Sequence, residues 1–558
     1  MCKYNYLILC LLLFAIKTLH AQELQNPFGF PALLSGNFGE LRSDHFHAGL
    51  DFKTQGVEGK PVHAVEDGYV VRIVVSPWGY GKALYLNHPG GITTVYGHLQ
   101  QFADRLAVYV KEQQYAQESF SIDLTFPPEQ FPVRKGQPVA LAGNSGSSAG
   151  PHLHFEVRNT ETGILYDPLE YYKDQIKDSR PPKIEGFMVY PIEGLGVVNG
   201  KKQKKEIKLP VTGNSRQTPG DTIEAWGEIG LAVKAYDYMN GTSNIYGVRR
   251  LAMAIDSQAV FSSNIDRFSP GESRYINSFI DYEAWKERRT FYMKTFMEPG
   301  NQLSFIQSIG RGIIRINEER TYRITFRLRD IYGNLAQYTL PVKGKKQLIP
   351  APDTEGEYFH WKSGNRFGAK GIRLFLPAGC LYDDIYFRYA ADENPAGAAA
   401  THTLHKPGIA LHKEAQLALR LQDTPAGKQK YGIVRTHNKR TAWIGGTYRN
   451  GWIEAGIREF GDYTIMQDTR PPLITAVNPS SWISSRRITL RISDNLSGIQ
   501  TFRGEIDGQF VLFEFDGKKN LVTYRFDTTR LTRGNHKLIF TVADACGNRA
   551  EYNHAFIW

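Results

Sequence analysis

The phrase Asp-x-Arg-Pro-Pro occurs twice, as Asp178-Ser179-Arg180-Pro181-Pro182 and as Asp468-Thr469-Arg470-Pro471-Pro472. Paired prolines continue neither a helix nor a central strand, so each phrase reads as a linker between units. The stretches after the two phrases are also similar. Asp237-x-x-Asn240-Gly241 is answered by Asp494-x-x-Ser497-Gly498, Ile255-Asp256-Ser257-Gln258 by Ile506-Asp507-Gly508-Gln509, and Asp330-x-x-Gly333-Asn334 by Asp544-x-x-Gly547-Asn548. The last two turns each end an alternating run, Tyr322, Ile324, Phe326, Leu328 in one and Leu538, Phe540, Val542 in the other. A period of two is that of a half-buried strand. Echoes in the same order make this a divergent internal repeat.

Each copy resembles the immunoglobulin-like β-sandwich modules of bacterial surface proteins. The first copy is placed at 178–345, with an insertion at roughly 262–312 holding a helix-like Tyr282 to Met293. The second copy is placed at 468–558. The D-x-x-G-N turns offer too few oxygens to surround calcium, and turn-forming is the role expected of them. Ile349-Pro350-Ala351-Pro352-Asp353 is a further linker, and 354–467 reads as a β domain of unassigned type. It contains His402, His405 and His412, but Pro407 breaks the segment and no acidic partner sits at helical spacing, so no metal site is expected there. A chain of 558 residues exceeds one core. The fold class expected is mainly β: an N-terminal antiparallel-sheet domain at 22–172, then three sandwich-like domains.

Residues 1–21 read as a signal peptide, with Lys3, an apolar core from Tyr6 to Ile16, and Ala21 before the cut. Leu19 is large for the −3 position, so an uncleaved anchor is the alternative. Cys10 lies inside the apolar core, which argues against a lipoprotein. No later run is apolar and long enough to span a bilayer. Removal of Lys3 and Lys17 takes the formal charge from +11 to +9, a balance suited to a carboxylate-rich wall or simply to a solvated surface. No basic run interleaved with aromatics points to nucleic acid. Cys380 and Cys546 remain after processing, in different domains, and the lack of C-x-x-C excludes a thiolate zinc site.

The chemistry concentrates at Pro151-His152-Leu153-His154-Phe155-Glu156, where a strand would project both histidines from one face. Upstream lie His45-Phe46-His47-Ala48-Gly49-Leu50-Asp51 and Tyr96-Gly97-His98-Leu99. The order H-x-G-x-D, G-H-L, H-L-H, with Gly143, Gly146 and Gly150 before the last, resembles the lysostaphin-like, LytM-type zinc endopeptidases of peptidoglycan over roughly residues 28–172. The resemblance implies one Zn²⁺ held by His47, Asp51 and His154, leaving one position for water, with His98 and His152 as the two assisting histidines. Which of the two is the base stays open. His45 competes with His47, but only His47 has Gly two and Asp four residues on.

The function expected is that of an exported zinc metalloendopeptidase, periplasmic or at the cell surface. It would cut peptidoglycan cross-links or stem peptides. The alternatives are a non-catalytic wall-binding or division-regulating protein, and an adhesin whose sandwich array does the work. Expected partners are peptidoglycan peptides, and envelope proteins through the β modules. A helix at Phe102, Leu106 and Val110 is expected either to pack as an insert or to wall the substrate groove.

Overall fold

The computed structural model describes residues 23–209, 211–212, 215–216, 223–392, 399–421, 427–437 and 440–558; the signal sequence read at 1–21 lies outside them. At 50% strand and 9% helix the chain is mainly β. Strands β1 (Leu34–Gly36), β2 (Leu50–Lys53), β3 (Gly68–Val75), β4 (Lys82–His88), β5 (Ile92–Phe102), β6 (Ile122–Thr125) and β7 (His152–Asn159) form an antiparallel sheet. Their order is β1-β2-β7-β5-β4-β3-β6. Alternation along β7 sorts its residues. Leu153, Phe155 and Val157 are fully buried, with Phe155 against Phe52, Tyr96 and Tyr172, while His152, His154 and Glu156 face the other side.

The expected helix is present as α1 (Asp104–Ala116), with Leu106, Val110 and Gln114 buried at four-residue spacing. No α1 residue lines the cleft around the histidines. Its outer face instead receives the last domain, with Lys111 Nζ 2.6 Å from Asp527 Oδ2 and the Arg530 guanidinium 3.8 Å above the Tyr115 ring.

In the first repeat, β8 (Lys183–Val198) pairs with β9 (Ile223–Tyr238), and β10 (Arg250–Ile255) pairs with β11 (Gln258–Asn264). Helix α2 (Tyr282–Arg288) lies in the insertion. It is shorter than the helix-like stretch read to Met293, because Arg289 turns left-handed at φ 53° and closes the helix. Strand β12 (Ile314–Ile316) joins β9, and β13 (Thr321–Arg329) links β10 to β14 (Leu335–Gly344).

The second repeat has β15 (Leu473–Ala476), β16 (Arg487–Ser493), β17 (Ile499–Ile506), β18 (Gln509–Val511), β19 (Glu514–Asp516), β20 (Leu521–Arg525), β21 (Asn535–Asp544) and β22 (Arg549–Ile557). Its pairings β15–β16, β17–β18, β17–β21 and β21–β22 reproduce β8–β9, β10–β11, β10–β13 and β13–β14 of the first. Ile255 pairs with Ile324 and Ile506 with Leu538, each beside the same tight turn. Those turns put Asp256 and Ser257, and Asp507 and Gly508, at positive φ.

The other echoes are parts of one knot at the end of each repeat, the first built on one continuous sheet and the second on two four-stranded sheets among the described residues. Asp178 Oδ1 accepts from the Arg180 and Asn240 amides, and Asn334 Nδ2 donates to Asp178 O. In the second copy Asp468 accepts from the Arg470 and Ser497 amides, and Asn548 Nδ2 donates to Asp468 O. Each knot gathers three carboxylates, Asp178, Asp237, Asp330 and Asp468, Asp494, Asp544, with one oxygen of each within 4.8 Å of the others. Burial pushes the Asp237 carboxyl up to about 8; the Tyr238 amide opposes this and the charges of Asp330 and Asp178 add to it. A raised acid favours the fold fully below its unfolded pKa near 4 and loses that advantage as pH rises towards 8. Asp237→Asn keeps the acceptor for the Tyr238 amide without the charge. It should raise Tm at pH 8, by the equivalent of roughly 2–5 kcal/mol, with the gain shrinking towards pH 4. An unchanged Tm at pH 8 would show that the knot does not penalise ionisation.

The N-terminal part and the first repeat share a core. Phe38, Phe46 and Leu165 lie in the same buried cluster as Phe187, Ile229, Phe268 and Phe326. The described residues of 356–468 form two five-stranded sheets and a two-stranded one over their own core. There His402 Nδ1 sits 2.9 Å from Tyr389 OH and His412 stacks on Tyr275, so the histidines go to separate places and form no metal-holding group among the described residues. Cys380 and Cys546 are both buried free thiols.

Candidate metal centre and cleft

Asp51 on β2 lies directly opposite His154 on β7. Cross-strand partners hold their Cβ atoms about 5 Å apart, so carboxylate and imidazole meet on the polar face of the sheet. His47 precedes β2 in a hairpin whose chains are tied by Gly39 N to His47 O and His47 N to Glu40 O, each 2.9 Å. Phe46, buried in the neighbouring core, anchors that hairpin. The structure thereby brings His47, Asp51 and His154 together, all buried. His45 remains on the rim, half-exposed and bonded to Asp44 at 2.8 Å, outside the group.

Nε2 of His47, Nδ1 of His154 and Oδ1 of Asp51 lie 3.0 Å from one another. The far side of each ring fixes where its proton sits. His47 Nδ1 is 2.7 Å from Asn37 O, which only accepts, so the proton is on Nδ1 and Nε2 is a lone pair. His154 Nε2 is 2.9 Å from Glu156 Oε1, so the neutral ring carries its proton on Nε2 and leaves Nδ1 bare. Three lone-pair atoms then face one point. They repel unless a cation lies among them. Ligands of a tetrahedral zinc are about 3.3 Å apart at Zn–N of about 2.0–2.1 Å, close to the spacing here. Two nitrogens and a carboxylate oxygen suit zinc in both number and type.

Without a metal, a proton competes for this point. Burial opposes ionisation of Asp51, yet the His47, His152 and His154 imidazoles around it hold its carboxyl well below the usual range. Burial drives the His47 pKa down. For His154 burial also disfavours the cation, but hydrogen bonds to Asp51 and Glu156 outweigh it and push the pKa up to about 9.

His98 and His152 stand beside the trio, their ring centroids 4.8 Å apart. His98 reaches the site because its backbone turns left-handed, at φ 59°, a strained conformation for a residue with a side chain. Its Nδ1 lies 2.9 Å from Ser145 O, and His152 Nδ1 lies 2.8 Å from Gly150 O. Both rings therefore carry their proton on Nδ1 and offer a bare Nε2 to the cleft. Burial, with the charges of His154 and His152, drives the His98 pKa down to about 3.

Three partners were not singled out from the sequence. Glu156, fully buried, receives the Tyr80 hydroxyl and Arg158 as well as His154. Its signal was available, since 152, 154 and 156 share one strand face. Tyr80 also stacks on His154 at 5.1 Å, and only its place in the β3–β4 turn puts it there. Arg42 Nη2 holds the second oxygen of Asp51 at 3.0 Å. Beside it, burial pushes the Glu40 carboxyl up to about 7 against the pull of Arg42. The whole opens into a cleft of about 650 Å³ bounded by Arg42 and His45 on one side and residues 147–150 on the other.

Comparison with known proteins adds to this geometry. The model of peptidase family M23 matches residues 45–122, which contain His47, Asp51 and His98, and the Zu5-like domain model matches residues 356–468. The DD-carboxypeptidase/endopeptidase Mpg of Neisseria meningitidis serogroup B is 29% identical over 145 residues, 26% of this chain and 26% of that protein. The murein hydrolase activator EnvC of Escherichia coli is 33% identical over 113 residues, 20% of this chain and 21% of that protein. Among solved structures, the catalytic domain of lysostaphin from Staphylococcus simulans matches at 23% identity and a TM-score of 0.19, covering 25% of this chain and 89% of that one. The chain thus spans about a quarter of the length of the first curated relatives it matches.

Proposed function

We propose that this chain, which carries an M23 peptidase domain at its N-terminus, is an exported zinc metalloendopeptidase that hydrolyses peptide bonds of peptidoglycan cross-links or stem peptides. The observation that carries the reading is the convergence of three lone-pair atoms, from His47, Asp51 and His154, at the floor of an open cleft beside two further bare imidazole nitrogens. His47, Asp51 and His154 would hold the metal. When bound, zinc lowers the pKa of its water to about 7 and polarises the scissile carbonyl. The remaining work falls to the chain. His152 Nε2, 3.5 Å from Asp51 Oδ1, takes a proton from the attacking water and returns it to the leaving amine. His98 Nε2, its ring proton likewise held on Nδ1, faces the same space as the alternative acceptor for that proton. The β modules are read as placing the enzyme on the wall or on envelope proteins.

The resemblance to a protein named a murein hydrolase activator frames the second reading, a regulator without turnover. The full set of ligands and both extra histidines favour the enzyme. Purified sacculi incubated with the zinc-loaded full chain should release peptides identifiable by mass spectrometry, and Asp51→Ala should release none. Binding without release by the wild type would assign the regulator instead.

A further inference from the structure

The last β-sandwich returns to the catalytic cleft. The tip between β19 and β20 carries Lys518, whose Nζ donates to Asn144 Oδ1 at 3.2 Å and Ser148 O at 3.0 Å, although Asn144 lies 374 positions away in sequence. Beside it Gly517 packs so closely on Trp78 that a Cβ there would lie 2.5 Å from the indole. Glu514 meets Lys82 at 3.0 Å. These contacts fall on two loops beside the cleft, the β3–β4 turn and the segment 143–150.

Those two loops are one unit. Gly81 and Gly146 meet backbone to backbone at positive φ, with room for no Cβ on either. Ser145 Oγ accepts from the Lys82 amide at 2.9 Å, and Ser147 N donates to Gly79 O at 2.8 Å. The unit supplies Ser145 O to His98 Nδ1 and Gly150 O to His152 Nδ1. It also places Ser148 Oγ 3.2 Å from His152 Nδ1. The carbonyls that keep both protons on Nδ1, and both Nε2 atoms bare, thus belong to a loop whose outer side is held from another domain.

We infer that the last sandwich is part of the catalytic apparatus. Lys518 is a positioning residue that sets the 143–150 loop, and through its carbonyls the orientation and tautomer of His98 and His152. The inference rests on the assignment of those histidines to proton transfer.

The test uses the full chain with Lys518→Ala, Lys518→Arg and Gly517→Ala. Zinc content should stay at the wild-type level in all three, because no metal ligand touches the loop contact. On a soluble stem peptide Lys518→Ala should lower kcat about 10- to 100-fold with KM little changed, the scale expected when a catalytic group is displaced by about 1 Å. Lys518→Arg, which can donate to the same oxygens, should recover most of the loss. Two readouts do not need turnover: hydrogen exchange of amides 144–150, and ¹⁵N resonances of the two imidazoles. Both should change in Lys518→Ala and Gly517→Ala. A wild type without peptidase activity would sink the proposed function, and these two readouts would still decide the positioning role. Unchanged exchange and tautomers in Lys518→Ala would overturn the inference, as would zinc loss in step with activity.

Discussion

His154→Ala in the full chain should lose zinc and activity together, whereas His152→Ala should keep one zinc per chain and lose only activity. His154 supplies one of the three converging atoms, and its removal leaves two ligands and takes a partner from the buried Glu156. His152 lies beside the trio with its Nε2 3.5 Å from Asp51 and contributes no atom to the triangle. The loss expected for His152→Ala is about 10²–10⁴-fold in kcat, the range for one acid–base group. His98→Ala should resemble it. Metal content by mass spectrometry beside cleavage rate separates the outcomes. Zinc lost from His152→Ala but kept by His154→Ala would reverse the assignment within the H-L-H pair. Full activity in His98→Ala would leave His152 as the single base.

The second large effect concerns where the chain can be cut. A break at the first Asp-x-Arg-Pro-Pro phrase would give a fragment ending near Lys173, which on sequence grounds should hold zinc and cleave wall peptides. The shared core points to a different result. Phe46, adjacent to His47, is fully buried among Phe268, Phe279 and Phe305, all from the first repeat. Arg249 of that repeat pairs with Asp167 and Glu170. Stripping one large aromatic of its surroundings costs about 3–5 kcal/mol, a sizeable part of a domain's stability. Fragment 23–172 should therefore be poorly soluble or bind zinc weakly, and fragment 23–345 should fold and bind it at the wild-type level. Equal melting temperatures and zinc content for the two fragments would show that the shared core is dispensable.

Much of this arrangement was legible in the chain because it depends on local rules. The H-x-H spacing needs only the alternation of a strand. The repeat was visible through its turns because Asp256-Ser257 and Asp507-Gly508 adopt backbone conformations that few residues accept. The paired aspartates and asparagines of the two knots recur because each closes the same corner. What could not be read is what depends on distant partners. The spacing of Leu106 and Val110 identified a helix, but its outer face answers to Asp527 and Arg530, about four hundred residues on. Tyr80 is a tyrosine in a glycine-rich turn until β7 is laid beside it. Arg42 looks like an ordinary surface arginine until the hairpin folds it over Asp51. The type of the domain at 356–468 rests on pairings between strands far apart, with no turn chemistry distinctive enough to announce them.

The docking of β19–β20 on the 143–150 loop also orders events in time. The ribosome completes Ser148 some 370 residues before it reaches Lys518. On the roles proposed above, a chain still being synthesised can assemble its metal ligands while its proton-transfer groups stay unset. On the proposed function, a wall hydrolase whose last module sets its proton-transfer groups would reach full rate only once that module has arrived.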